Sequence, residues 1–165
     1  MNPKFEVQMT KKYMFQFMIY HNYTKISGIF SLMLGLVGVF MGVVNAMDGQ
    51  ARGAILGFFI AVMSFVLVPV SIRSTAKRQV AQTKAFQKPL EYELTEEGVM
   101  TRQDEAEALT KWEEFQKVVS TGSILILYIT RVRAIIFPKE CMGEQYPAVL
   151  ETLKNYMPEK RVKVK

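Results

Sequence analysis

Apolar and polar positions change period three times along this chain. From Ile26 to Met47, 22 residues pass without an ionisable side chain, and from Ala54 to Ile72 another 19 do so. Only Asp48 to Gly53 lie between them. A helix of roughly 20 apolar residues crosses the hydrocarbon layer of a bilayer. The two runs therefore predict a transmembrane helical hairpin over 26–72, with spans at 26–47 and 54–72. Ahead of it, Lys4 to Met9 alternates. Phe5, Val7 and Met9 share one face while Glu6 and Gln8 take the other, the period of a half-buried strand. Thr10 suits the cap of a helix opening at Lys11 and Lys12.

Past Pro89 the period becomes two. Strands are expected at 91–95 and 99–102, joined by a turn, Glu96-Glu97-Gly98, in which glycine would supply a positive φ. Gln103 to Glu107 reads as an exposed acidic loop. Further strands are expected at 109–113 around Trp112, at 115–120, at 123–130 after a Thr121-Gly122 turn, and at 132–137, with Pro138 ending the last. With the N-terminal strand this makes about seven strands. Pro147 suits the first turn of a final helix. Val149, Leu150, Leu153, Tyr156 and Met157 give that helix one apolar face. The tail from Glu159 to Lys165 is expected to fray. The chain thus divides into an N-terminal strand and interfacial helix (1–25), the hairpin (26–72), a juxtamembrane segment (73–90) and a cytoplasmic α+β domain (91–165).

Small residues recur in both apolar runs. Ser31, Gly35, Gly38 and Gly42 fall on one helical stripe, and Gly53, Gly57, Ala61 and Ser64 repeat the device. Small side chains let helices approach closely in lipid. The stripe serves either to pack the spans on each other or to form a homo-oligomer seam. Pro69 is expected to bend the second span. No acidic or basic side chain lies inside either span, which argues against a proton relay or ion path carried by this chain alone.

Charge fixes the orientation. The net charge of +6 divides as +3 over 1–25, zero over the link, +5 over 73–88 and −2 over 89–165. Basic residues flank both outer ends of the hairpin, so both termini should face the cytoplasm of a multi-pass protein in the inner or plasma membrane. Tyr13 to Tyr23 is dense in aromatic and methionine side chains. That fits the headgroup layer or packing on the soluble domain, with His21 as a polar residue at the interface. Arg73, Lys77, Arg78 and Lys84 are candidate lipid-headgroup contacts, or residues that fix topology alone. Arg131 and Arg133 join them as candidate headgroup contacts, or serve only as turn and strand-edge charges. A basic stripe on a folded surface, as nucleic acid requires, is missing.

Candidate chemistry is sparse. Cys141 is the only cysteine and His21 the only histidine, so neither a disulfide framework nor a zinc site has its ligands. Asp104, Glu105, Glu107, Glu113 and Glu114 read as a solvated acidic face; acid–base catalysis needs carboxylates in a shielded cleft. Gly98, Gly122 and Gly143 are isolated and form no phosphate-cradling loop. No catalytic, cofactor or metal residue is assigned.

Two spans are followed by Tyr92-Glu93-Leu94-Thr95-Glu96-Glu97-Gly98-Val99, then Trp112, Lys117-Val118-Val119, Ile135-Ile136-Phe137-Pro138-Lys139 and a terminal helix. This order resembles the bacterial YcxB-like membrane proteins over nearly the whole chain. Glu140 and Cys141 depart from the basic residue that members carry after the Pro-Lys pair. The resemblance implies a small bacterial membrane protein whose cytoplasmic part is similar to a pleckstrin-homology-like (PH-like) barrel, and it brings no catalytic residue with it. If Lys4 to Met9 is a barrel strand, the hairpin is an insertion between it and the strand at Tyr92. The expected function is a non-enzymatic, membrane-anchored interaction module with the lipid bilayer and a protein as partners. The alternatives are an anionic-lipid-responsive regulator or an accessory subunit of a membrane transporter or enzyme.

Overall fold

In the computed structural model, which describes residues 2–164, the chain forms two compact units. One is Met18–Arg78 and the other joins Met1–Phe17 to Gln79–Lys165. Met1 and Lys165, the end residues of the expected N-terminal and C-terminal segments, lie outside the described residues.

The first unit is helical. It takes the end of α1 (Lys11–Tyr23), all of α2 (Ile26–Met47), and most of a helix running from Ala51 to Gln82. That second helix has three parts: α3 (Ala51–Val62), a π-helical turn at Met63–Leu67, and α4 (Val68–Gln82). Both α2 and the Ala51–Gln82 helix are long and apolar enough to cross a membrane. The link is shorter than expected: Arg52 and Gly53 are already helical, and Gly49 carries the turn at φ 68, where a side chain would be strained. The helix also continues ten residues past Ile72, carrying Arg73, Lys77 and Arg78.

What joins α2 to α3 is the absence of side chains. Gly35, Gly38, Gly42, Ala54, Gly57 and Ala61 are buried, while Phe30, Leu36, Phe40, Ile55 and Phe59 point outward. A Cβ on Gly57 would strike the backbone of Gly42, and one on Gly38 would come 2.8 Å from Ala61 N. Contact this close is the packing mode of helices in lipid. The small-residue stripe is thus occupied within the chain, with Ser31 half-buried at its end. The irregularity expected at Pro69 falls in the turn before it. Proline has no N–H for the carbonyl four residues back, Phe65, and its ring crowds that carbonyl. The ladder widens to the π form over Met63–Leu67, and the Phe65 ring lies where a Cβ on Gly35 would be.

The second unit is built on two four-stranded sheets. The first has the order β1-β2-β3-β4: Lys4–Val7, Leu90–Leu94, Gly98–Gln103 and Ala106–Lys111. The second has the order β7-β6-β5-β8, where β5 is Lys117–Ser120, β6 Ile124–Tyr128, β7 Ala134–Pro138 and β8 Val162–Lys163. Each sheet is an open ladder. β1 pairs antiparallel with β2, Phe5 opposite Tyr92, so the apolar hairpin lies between two neighbouring strands of one sheet. Phe137 joins the sheets: its ring meets those of Phe5 and Tyr92 at 4.9 Å, both edge-on. α5 (Lys139–Met142) and α6 (Tyr146–Tyr156) complete the core, with Val149, Leu153 and Met157 buried at helical spacing. β6 is buried at every position, which accounts for a run, Ile-Leu-Ile-Leu-Tyr, without alternation.

Three expectations need correcting here. Gly98 does not have a positive φ; in the tight β3–β4 turn that role falls to Asp104, at φ 52. Gly98 is required because a Cβ would strike the Thr110 carbonyl across the ladder. Trp112 leaves the strand: Trp112–Glu114 is a 3-10 turn, and the indole stacks on Tyr156 at 5.8 Å while Nε1 donates to the Thr95 carbonyl at 3.1 Å. The tail is not frayed over its described residues. Its strand β8 pairs in parallel with β5, Val162 opposite Val118.

Candidate functional site

Four strands bring charges onto one face of the first sheet. Arg102 on β3 bonds Glu93 at 2.5 Å, Glu107 at 2.8 Å and Glu91 at 3.4 Å, and Lys4 meets Glu91 at 2.9 Å. The guanidinium is pushed up, first by Glu93, and Glu93 is held low chiefly by Arg102. Glu91 is held low chiefly by Lys4. Glu91, Glu93 and Glu107 share two cations, Lys4 and Arg102, and the pairing moves Glu91 and Glu93 away from the range of a general base at neutral pH. The sequence marks these residues only as the polar half of an alternation; the register alone brings them together.

The acids weighed as a cluster disperse. Asp104 pairs with Lys88 at 2.6 Å, Glu107 with Arg102, and Glu114 accepts from the Lys111 backbone at 2.9 Å. Among the described residues no group of three or more His, Cys, Asp or Glu is placed to hold a metal ion. Burial pushes the Cys141 thiol up, opposite to the shift that activates a nucleophile. Its neighbour Glu140 accepts from Lys12 Nζ at 2.7 Å and from Tyr13 Oη at 2.8 Å, which ties the start of α1 to the end of β7.

The candidate headgroup cations fall in three places. Arg73, Lys77 and Arg78 are exposed on α4, with Arg73 and Lys77 one helical turn apart on the same side. Lys84 opens a 3-10 turn, Lys84–Phe86, in the sheet unit. Just beyond it the basic segment is pinned: Gln103 Nε2 donates to the carbonyls of Ala85 at 2.8 Å and Lys88 at 3.1 Å. Arg131 and Arg133 share the β6–β7 turn. None of these six cations joins an ion pair among the described residues.

The β6–β7 turn is closed from both sides. Ile129 N and Thr130 N donate to the Arg133 carbonyl at 2.9 and 3.0 Å, and Thr130 Oγ1 accepts from Arg133 N at 3.0 Å and Val132 N at 3.3 Å. That geometry holds Val132 outward, 72% exposed between the two arginines. Lys117, opposite Tyr128 in the register, lies over the Tyr128 ring at 4.7 Å, adding a third cation at this end of the sheet. Val132 carries no mark in the sequence, where it reads as an ordinary strand residue.

A family model described as YcxB-like protein matches residues 94–153. The match runs from the last residue of β2 into α6. It leaves out β1, α1 and both long apolar helices, and so is narrower than the near-complete resemblance expected. No curated protein and no solved structure matches this chain.

Proposed function

For a chain that carries a YcxB-like domain at residues 94–153, we propose the role of a non-enzymatic, membrane-anchored interaction module. The α2–α3 hairpin spans the inner or plasma membrane of a bacterium. The sheet unit, a PH-like domain in this reading, stands on the cytoplasmic side with both termini. One observation carries the proposal: β1 pairs with β2, although the whole apolar hairpin lies between them in the chain. Adjacent strands must be on one side of a bilayer, and two crossings return the chain to the side it left. The basic residues of 1–25 and 73–88 assign that side to the cytoplasm. The open edge of β4 offers backbone donors and acceptors to a protein partner.

The test is topological. Alkaline carbonate should leave the full chain in the membrane pellet. Protease added outside intact spheroplasts should spare tags at both termini and cut them only after lysis. Cleavage of either tag in intact spheroplasts, or release by carbonate, would overturn the anchoring. A photo-crosslinker on β4, at the exposed Ala108, should then capture a discrete protein adduct in native membranes.

A further inference from the structure

We propose that the β6–β7 turn is a second membrane contact, an apolar tip flanked by arginines that docks on anionic phospholipid. Val132 enters the boundary between headgroups and acyl chains, and Arg131 and Arg133 take the lipid phosphates. The inference rests on the anchoring proposed above and adds to it a contact made by the folded sheet unit itself.

Three observations point there. First, Val132 is among the most exposed apolar side chains outside the long apolar helices, at 72%, and the turn's own hydrogen bonds fix it outward. Second, Arg131 and Arg133 are exposed and in no ion pair among the described residues, in a segment, 89–165, that is net acidic. Two free guanidiniums beside a bare aliphatic group match a surface with phosphate above and hydrocarbon below. An acidic peptide would satisfy the arginines and leave Val132 without a counterpart. Third, the start of α1 leads the chain to this turn within the sheet unit. Lys12 and Tyr13 bond Glu140, just past the end of β7. Phe17 meets Tyr128 at 6.2 Å, and Tyr128 faces Ala134 at the start of β7. α1 thus runs back along β7 to the β6–β7 turn. In the sequence, the first long apolar helix begins at Ile26, nine residues after Phe17.

The test uses the full chain in vesicles of phosphatidylcholine and phosphatidylglycerol that include a lipid brominated on its acyl chain as quencher. Trp112, the one native tryptophan, is buried and gives the background. Val132→Trp reports on the tip. Gly122→Trp, in the β5–β6 turn where a new side chain meets nothing, reports on the opposite end of the sheet. Val132→Trp should be quenched well above Gly122→Trp. Adding Arg131→Gln or Arg133→Gln should weaken the contact roughly fivefold each, the equivalent of about 1 kcal/mol per basic residue at an anionic surface. Vesicles of phosphatidylcholine alone should lose most of the signal. Quenching no greater than for Gly122→Trp overturns the proposal, as does quenching indifferent to the arginines or to anionic lipid. If the chain in the same vesicles still resists carbonate, this inference falls alone; if it is extracted, the anchoring falls with it.

Discussion

Tyr13 shows how one side chain ties distant parts of the chain together. Its hydroxyl donates to Glu140, and that bond, followed by burial, pushes its pKa from 10.0 up to about 12. Burial raises Tyr92 likewise to about 12. A group that holds its proton more tightly when folded stabilises the fold below its unfolded pKa, and that contribution is lost as pH rises through the folded one. The sheet unit should therefore lose stability between pH 10 and about 12. Tyr13→Phe should flatten part of that slope and leave the part due to Tyr92. Thermal unfolding of the full chain in detergent against pH checks this, and an unchanged slope would remove Tyr13 from the account. The carboxylates act at the other end of the scale. Glu140 is held low chiefly by Lys12 and then by Tyr13, and Glu91 and Glu93 by their own cations. Their contribution is present above the ordinary carboxylate range and lost as pH falls through it. Each is modest, because these pairs face water.

Residues differ in how much of their role can be read before folding. Gly49 stands in a short link between two apolar runs, and the demand for a left-handed turn there is local. Gly98 sits in an equally plausible turn, yet its reason is the Thr110 carbonyl on the next strand, which only the register supplies. Val132 belongs to the same class. Its exposure follows from Thr130 capping a turn, and a strand pattern of alternating residues hides it.

Elements follow the same division. The two apolar helices are legible because crossing length depends on composition alone. At Pro69 the sequence predicts a bend, and the irregularity found is a π-helical turn just before it, over Met63–Leu67, the form the ladder takes where proline leaves the Phe65 carbonyl without a donor. β8 was not legible. It is two residues long, stands among basic residues, and pairs in parallel with a strand more than forty positions away, so no periodicity announces it. Its effect is to cover the edge of β5 with Val162 and Val164 packed on the core, while Arg161 donates to the Phe115 carbonyl at 3.3 Å. Deleting 159–165 bares that edge. The expected cost is about 1–3 kcal/mol, seen as a lower denaturant midpoint. The bared strand should also promote concentration-dependent self-association, measured by light scattering. A truncated chain with an unchanged midpoint would show that the tail strand contributes nothing.

At the scale of the molecule, the sheet unit is assembled from the two ends of the chain. β1 brings Phe5 and Val7, buried at 6% and 0% exposure, into a core otherwise made by residues beyond 89. Removing one buried aromatic side chain costs about 3–5 kcal/mol. A small domain has roughly 5–15 kcal/mol of stability in all. Loss of the whole strand, with the β2 edge left bare, should therefore unfold the unit. Residues 79–165 alone are expected to be aggregated or without a cooperative melt. Residues 1–17 joined directly to 79–165 through a flexible glycine-serine linker should be soluble and melt in one transition by circular dichroism. The contrast separates three architectures. If 79–165 folds unaided, β1 is an accessory. If only the linked chain folds, the hairpin is an insertion that the sheet tolerates. If neither folds, the sheet needs the helices for its own stability, and the module proposed here is one folding unit with its anchor.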